Sequence, residues 1–261
     1  MEERIKASLL EIERGEGVHI FYACESGSRA WGFPSADSDY DVRFLYLRPT
    51  DWYLSVDVEK RRDVIERPIT DELDVSGWDI RKALMLLRKS NPPLLEWLGS
   101  PIVYQEKFGM ADKLRNLLPE YYSPSACVHH YLHMAQGNYR EYLKGDVVWV
   151  KKYFYVLRPL LAIKWIEEWD EVVPMEFQAL IERTVEDGEL RAIIADLIEQ
   201  KKDGRELDRG PAIPRLSEFV RAELERLEKK SFEYAPSKTS TDKLNEVFRA
   251  SLSEAWGSQQ R

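Results

Sequence analysis

At 261 residues, with 44% hydrophobic and 11% aromatic content, the chain is long enough to bury a core without disulfide staples, which excludes a disordered class. Its formal net charge of -8 excludes a whole-surface nucleic-acid binder, so contact with nucleic acid would need a local basic groove. Charged residues reach 32% with both signs interleaved, as on a well-solvated surface, and no apolar stretch attains membrane-spanning length. The charged, amphipathic start MEERIKASLLEIERGEG lacks the apolar centre of a signal peptide or anchor, and Cys24 and Cys127 lie far apart. The expectation is a cytoplasmic protein with reduced thiols and no membrane contact.

Ile5, Leu9 and Ile12 recur at helical spacing and predict a helix from about Glu3 to Glu13, broken at Gly15-Glu16-Gly17. Val18 to Cys24, a continuous apolar, β-branched and aromatic run ending at Ser26-Gly27, predicts a buried strand, and Val42 to Leu47 predicts another. A turn or short helix is expected at Asp51 to Leu54. A third strand is expected within Arg61 to Ile69, weakened at Pro68, and a fourth at Leu73 to Val75. Ser76 to Asp79 has the form of a capping box, opening a helix whose Ile80, Ala83, Leu84 and Leu87 share one face and which Asn91-Pro92-Pro93 stops. A short helix from Leu94 to Leu98 and an extended segment from Ser100 to Tyr104 complete this half.

From Lys107 onward the strand signals fade. Helices are expected near Ser125 to Lys144, Val148 to Trp169, Met175 to Glu186, Glu189 to Lys202, Arg215 to Lys230 and Thr241 to Trp256, with Gly257 to Arg261 frayed. No internal repeat is present. The fold class is therefore α+β: a mixed sheet flanked by helices in residues 1–106, then an all-helical domain in residues 107–261, with the active cleft between them.

The chemistry concentrates between the first two strands. Gly27-Ser28 can present backbone N–H groups and a hydroxyl to an anion if Arg29 to Trp31 form one helical turn, which Gly32 ends. Asp39 and Asp41 are two residues apart, and strand alternation puts both on the side that faces this loop. Asp37 and Ser38 are ordinary turn residues. Asp41, already inside an apolar strand, is not. Two carboxylates held together repel unless a cation sits between them, and Mg2+ (or Mn2+) takes such oxygen ligands together with the phosphates of a substrate. The constellation reads as phosphoryl or nucleotidyl transfer.

The same stretch, GSRAWGFPSADSDYD, resembles the signature of the polymerase-β-like nucleotidyltransferase superfamily. With LDVSGWDIRKAL, KSNPPLLEWLGSPIVY and KKYFYVLRPLLAIKW, it is similar to the predicted nucleotidyltransferases described as RNA-ligase-associated, a family placed in RNA repair. The resemblance implies transfer of a nucleoside monophosphate from a nucleoside triphosphate to a hydroxyl acceptor, such as an RNA end, with release of pyrophosphate. It also implies a third carboxylate on a later strand. Asp74 in LDVSGWD is the choice, since Leu73 and Val75 would face the core and Asp74 the other side; Asp63 and Glu66 are alternatives. Metal and catalysis are thus assigned to Asp39, Asp41 and Asp74, and nucleotide binding to Gly27, Ser28, Arg29, Lys152 and Tyr155.

Bland readings stand beside these. Arg29 serves equally as a solvated helix residue, and Arg43 as a partner that neutralises the carboxylates. Lys151, Lys152, Tyr155 and Arg158 form either a basic and aromatic stripe along the cleft or a helix with solvated lysines. His129, His130 and His133 read as helix residues rather than a zinc site, and Arg81, Lys82, Arg88 and Lys89 as a solvated face or an RNA track. A nucleotide- or RNA-binding module without turnover, and transfer to a protein or small molecule, remain the alternative functions.

Overall fold

In the computed structural model, which describes residues 1–205, 207–230 and 239–257, the apolar runs become strands as their composition dictates. Helix α1 (Glu2–Glu16) is followed by β1 (His19–Ser26), the short helix α2 (Gly27–Trp31) and β2 (Tyr40–Leu47). Then come α3 (Thr50–Tyr53), a 3-10 turn at Val58–Lys60, β3 (Val64–Glu66), β4 (Leu73–Asp79), α4 (Ile80–Arg88), α5 (Pro92–Leu98) and β5 (Val103–Glu106). The five strands form one mixed sheet in the order β3-β4-β2-β1-β5, in which β2 and β4 run parallel and the other neighbours antiparallel.

One face of the sheet is closed by α1: Ile5, Leu9 and Ile12 pack with Val42, Phe44, Tyr46 and Val75. By alternation, Asp41, Arg43, Leu45 and Leu47 belong to the opposite face. There the core runs on from Phe21 and Leu45 through the helical half as far as Leu252.

That half contains α6 (Met110–Tyr121), α7 (Pro124–Tyr142), α8 (Lys152–Trp169), α9 (Phe177–Thr184), α10 (Gly188–Lys202), α11 (Pro214–Lys229) and α12 (Asp242–Trp256). It is not wholly helical. β6 (Val147–Trp149) pairs antiparallel with β7 (Arg209–Pro211), so α8 opens at Lys152 rather than at Val148. Strands this short carry too little pattern to be read locally. Pro119 lies inside α6.

The capping box at Ser76 does not form. β4 continues through Asp79, because Gly77 lets the backbone pass the Phe44 ring, where a Cβ would come within 2.3 Å of Phe44 Cδ2, and Trp78 stacks on Trp97 at 3.8 Å. Asp79 is itself the cap of α4, its Oδ1 accepting the Arg81 N–H at 2.8 Å. Its Oδ2 accepts the Tyr53 hydroxyl at 2.7 Å, and burial pushes its carboxyl up to about 6.

Cys24 and Cys127 are both free and buried, with burial pushing each thiol up to about 12. Among the described residues no helix is long and apolar enough to cross a membrane. Of the end expected to fray, residues 258–261 lie outside the described residues.

Candidate active site

Gly27 follows β1 with φ 61°, and Gly32, at φ 93°, ends α2 after little more than one turn. A side chain at position 27 would displace the carboxylate: a Cβ would fall 2.1 Å from Asp41 Oδ2. The loop is thereby packed against the carboxylate that the second strand supplies. Ser28 Oγ donates to Ser38 Oγ at 3.3 Å, and Ser38 Oγ also accepts the Ser35 N–H at 2.9 Å, so three serines tie the two ends of the loop together.

Asp41 stands opposite Ser26 on β1 and opposite Asp74 on β4. The parallel pairing of β2 with β4 therefore brings two of the three expected carboxylates side by side. Arg43, on the same face, bridges them: its Nη2 donates to Asp41 Oδ1 at 3.1 Å and to Asp74 Oδ2 at 2.7 Å. Arg43 is thus the neutralising partner of these carboxylates. Burial raises the Asp41 carboxyl above the usual aspartate range, with Arg43 opposing the rise and Asp74 and Asp39 adding to it. The Asp41 N–H donates at 2.8 Å to Oε1 of Glu25, a fully buried carboxyl that also accepts the Tyr104 hydroxyl.

Asp39 lies one residue ahead of β2, not within it, yet Asp39 and Asp41 open into one pocket. The Asp39 carboxylate is exposed and has no hydrogen-bond or ion-pair partner among the described residues. Asp74 lies beside Asp41 on the neighbouring strand and does not line the pocket. Among the described residues no three His, Cys, Asp or Glu side chains converge as a ready-made metal cage. A magnesium site does not require one, since it uses one or two carboxylates and completes its shell with water and substrate phosphates. Asp39 and Asp41 provide that hard-oxygen donor set, with Ser28 lining the same pocket and Gly27, outside the lining, packed against the Asp41 carboxylate.

The opposite wall is cationic and comes from the helical half. Lys151, just ahead of α8, and Lys201, near the end of α10, both face the pocket. Lys201 is buried, its Nζ donating to the Phe33 carbonyl at 3.2 Å and to Ser38 Oγ at 3.5 Å. Burial, reinforced by Lys151, lowers its ammonium to about 8. The loop docks on the helices through aromatic rings: Phe33 meets Phe154 at 4.8 Å, and Trp31 meets Tyr155 edge-on at 5.5 Å. Phe154 and Tyr155 line the pocket too.

Other expected contacts take different positions. Arg29 lies over the Tyr40 ring at 3.7 Å and donates to the Ser38 and Asp39 carbonyls, bracing the turn. Lys152 does not line the pocket; its Nζ is 4.4 Å from the Tyr142 ring and 4.5 Å from the Tyr155 ring. Arg158 leaves the basic stripe altogether: it is buried, pairs with Glu96 at 2.6 Å and donates to the Pro174 and Met175 carbonyls. On α4, Arg81 and Lys82 pair with Glu59 and Asp63, and Arg88 donates to the Thr239 carbonyl. His129 and His133 approach each other at 3.3 Å on the outside of α7.

The family model described as "RNA repair pathway DNA polymerase beta family" matches residues 1–250. The chain is 49% identical over 257 residues, 98% of each chain, to a Bacillus subtilis (strain 168) protein, "Uncharacterized protein YcgL". It also aligns with a crystal structure of a nucleotidyltransferase-like protein from Exiguobacterium sibiricum 255-15, over 99% of this chain and 91% of that one, with 13% identity and a TM-score of 0.33. With the family match covering nearly the whole length, the chain belongs to the RNA repair pathway DNA polymerase beta family, a polymerase-β-like nucleotidyltransferase family.

Proposed function

We propose that the protein transfers a nucleoside monophosphate from a nucleoside triphosphate to a hydroxyl acceptor, an RNA end, with release of pyrophosphate. The observation that carries this reading is one pocket with opposite charges on its two walls: Asp39 and Asp41 on the sheet side, Lys151 and Lys201 on the helical side. In this reading Asp39 and Asp41 hold Mg2+ or Mn2+, with Asp74 as the supporting carboxylate beside Asp41. The cation would neutralise charge on the phosphates and favour ionisation of the attacking hydroxyl.

The chain's own groups then have separate tasks. Lys151 and Lys201 neutralise the phosphates that depart as pyrophosphate, and the Gly27-Ser28 turn orients them through backbone N–H groups. Asp74, outside the pocket lining, takes the proton of the acceptor hydroxyl through an intervening water as the hydroxyl oxygen attacks the α-phosphorus in line. Tyr155 and Trp31 confine the nucleotide on the remaining side.

The test is incubation with α-labelled triphosphates, Mg2+ and a panel of damaged or hairpin RNAs, reading label on RNA and free pyrophosphate. Transfer is expected for the wild type and lost for Asp39→Asn and Asp41→Asn with the fold retained. RNA bound without pyrophosphate release would instead identify a binding module.

A further inference from the structure

Beside the pocket runs a stripe of which the transfer chemistry uses Tyr155 alone. Tyr155 lines the pocket and is 37% exposed. Next to it, at the first turn of α8, Lys152 Nζ lies 4.5 Å from the Tyr155 ring centroid and 4.4 Å from that of Tyr142, at the end of α7. The order outward from the Asp41 pocket is thus aromatic, cationic, aromatic. Lys152 has no ion-pair partner among the described residues and meets only the two rings.

Alternating rings and ammonium groups at this spacing suit a strand whose bases are free to stack while its phosphates pass a cation. A duplex would present its phosphates but hide its base faces.

We propose that the Tyr142, Lys152 and Tyr155 stripe docks the unpaired end of a single-stranded RNA, with the terminal nucleotide at Tyr155 and the preceding base on Tyr142. The polarity of this arrangement rests on the transferase reading above, which requires the end hydroxyl to meet Asp41. Lys152 is thereby assigned to the acceptor rather than to the triphosphate.

The test reads binding alone. Fluorescence anisotropy with the full chain compares a short unpaired oligoribonucleotide with a blunt hairpin of the same composition, in the absence of triphosphate and divalent metal. The single strand is expected to bind at least ten-fold more tightly. Tyr142→Ala should weaken it roughly ten-fold, whereas Tyr142→Phe, which keeps the ring, should stay within about two-fold of wild type. The salt slope should correspond to one or two phosphates, about -0.7 to -1.4. Equal affinity for the hairpin, or wild-type binding by Tyr142→Ala, would overturn the proposal. Because no transfer is read, that outcome is distinct from a failure of the Asp39→Asn and Asp41→Asn experiment.

Discussion

Gly27 is packed against Asp41 so closely that a Cβ at position 27 would lie 2.1 Å from the Asp41 Oδ2. Its backbone also occupies the left-handed region, at φ 61°. Gly27→Ala therefore combines about 1–2 kcal/mol of backbone strain with displacement of the carboxylate. The expected result is a lower denaturation midpoint together with a fall in kcat of roughly a hundred-fold. A variant with wild-type kcat would show that the close approach does not position Asp41.

Arg43 is the only cation in contact with both Asp41 and Asp74 among the described residues. Arg43→Met leaves two adjacent carboxylates without their shared donor, at a cost of roughly 1–3 kcal/mol. In EDTA its Tm should fall below wild type. Millimolar Mg2+ should restore more of the Tm than it adds to the wild type, because an ion that binds the folded state better stabilises it more. Identical Mg2+ responses in the two proteins would argue against a cation site at these carboxylates.

Lys201 titrates near pH 8, lowered by burial and by Lys151 and Arg29, with Asp37 opposing. A lysine whose folded value lies below its unfolded one binds fewer protons when folded, so its contribution to stability rises with pH from about 8 towards 10. Stability relative to Lys201→Met should climb across that window. Binding of a nucleoside triphosphate favours the charged ammonium and should be accompanied by proton uptake at pH 8. Calorimetry in buffers of different ionisation enthalpy measures the uptake, which Lys201→Met should abolish.

Glu96 and Arg158 join the two halves beneath the loop, with Arg158 3% exposed, 2.6 Å from Glu96 and 5.2 Å from the Trp31 ring. Tyr131 also donates to Glu96, at 2.7 Å. Glu96→Ala leaves the guanidinium buried without a carboxylate and should cost roughly 3–5 kcal/mol, read as a shift in the denaturant midpoint. Replacing both residues by apolar ones of similar volume, Glu96→Leu with Arg158→Met, should recover much of that loss.

Where the chemistry depends on neighbours along the chain, it could be read directly. The glycine turn, the Asp39 and Asp41 spacing and the strands around them follow from residue types and a period of two, and the pocket contains both carboxylates even though Asp39 precedes β2. Ser76 to Asp79 misled because a capping pattern and a strand end share the same residues. The clearance that Gly77 gives Phe44 and the Trp78–Trp97 stack settle the choice, and neither leaves a local trace.

The sequence by itself determined the α+β class, the glycine turn after the first strand and the carboxylate pair, since each rests on propensity, alternation and spacing over a few residues. Only the tertiary structure decided that Arg43 bridges Asp41 to Asp74, that Lys201 reaches the Phe33 carbonyl and that Arg158 is buried against Glu96. These meetings join residues distant in sequence, through strand register and helix packing. Short-range periodicity fixes which face a side chain takes, but not which partner it finds there.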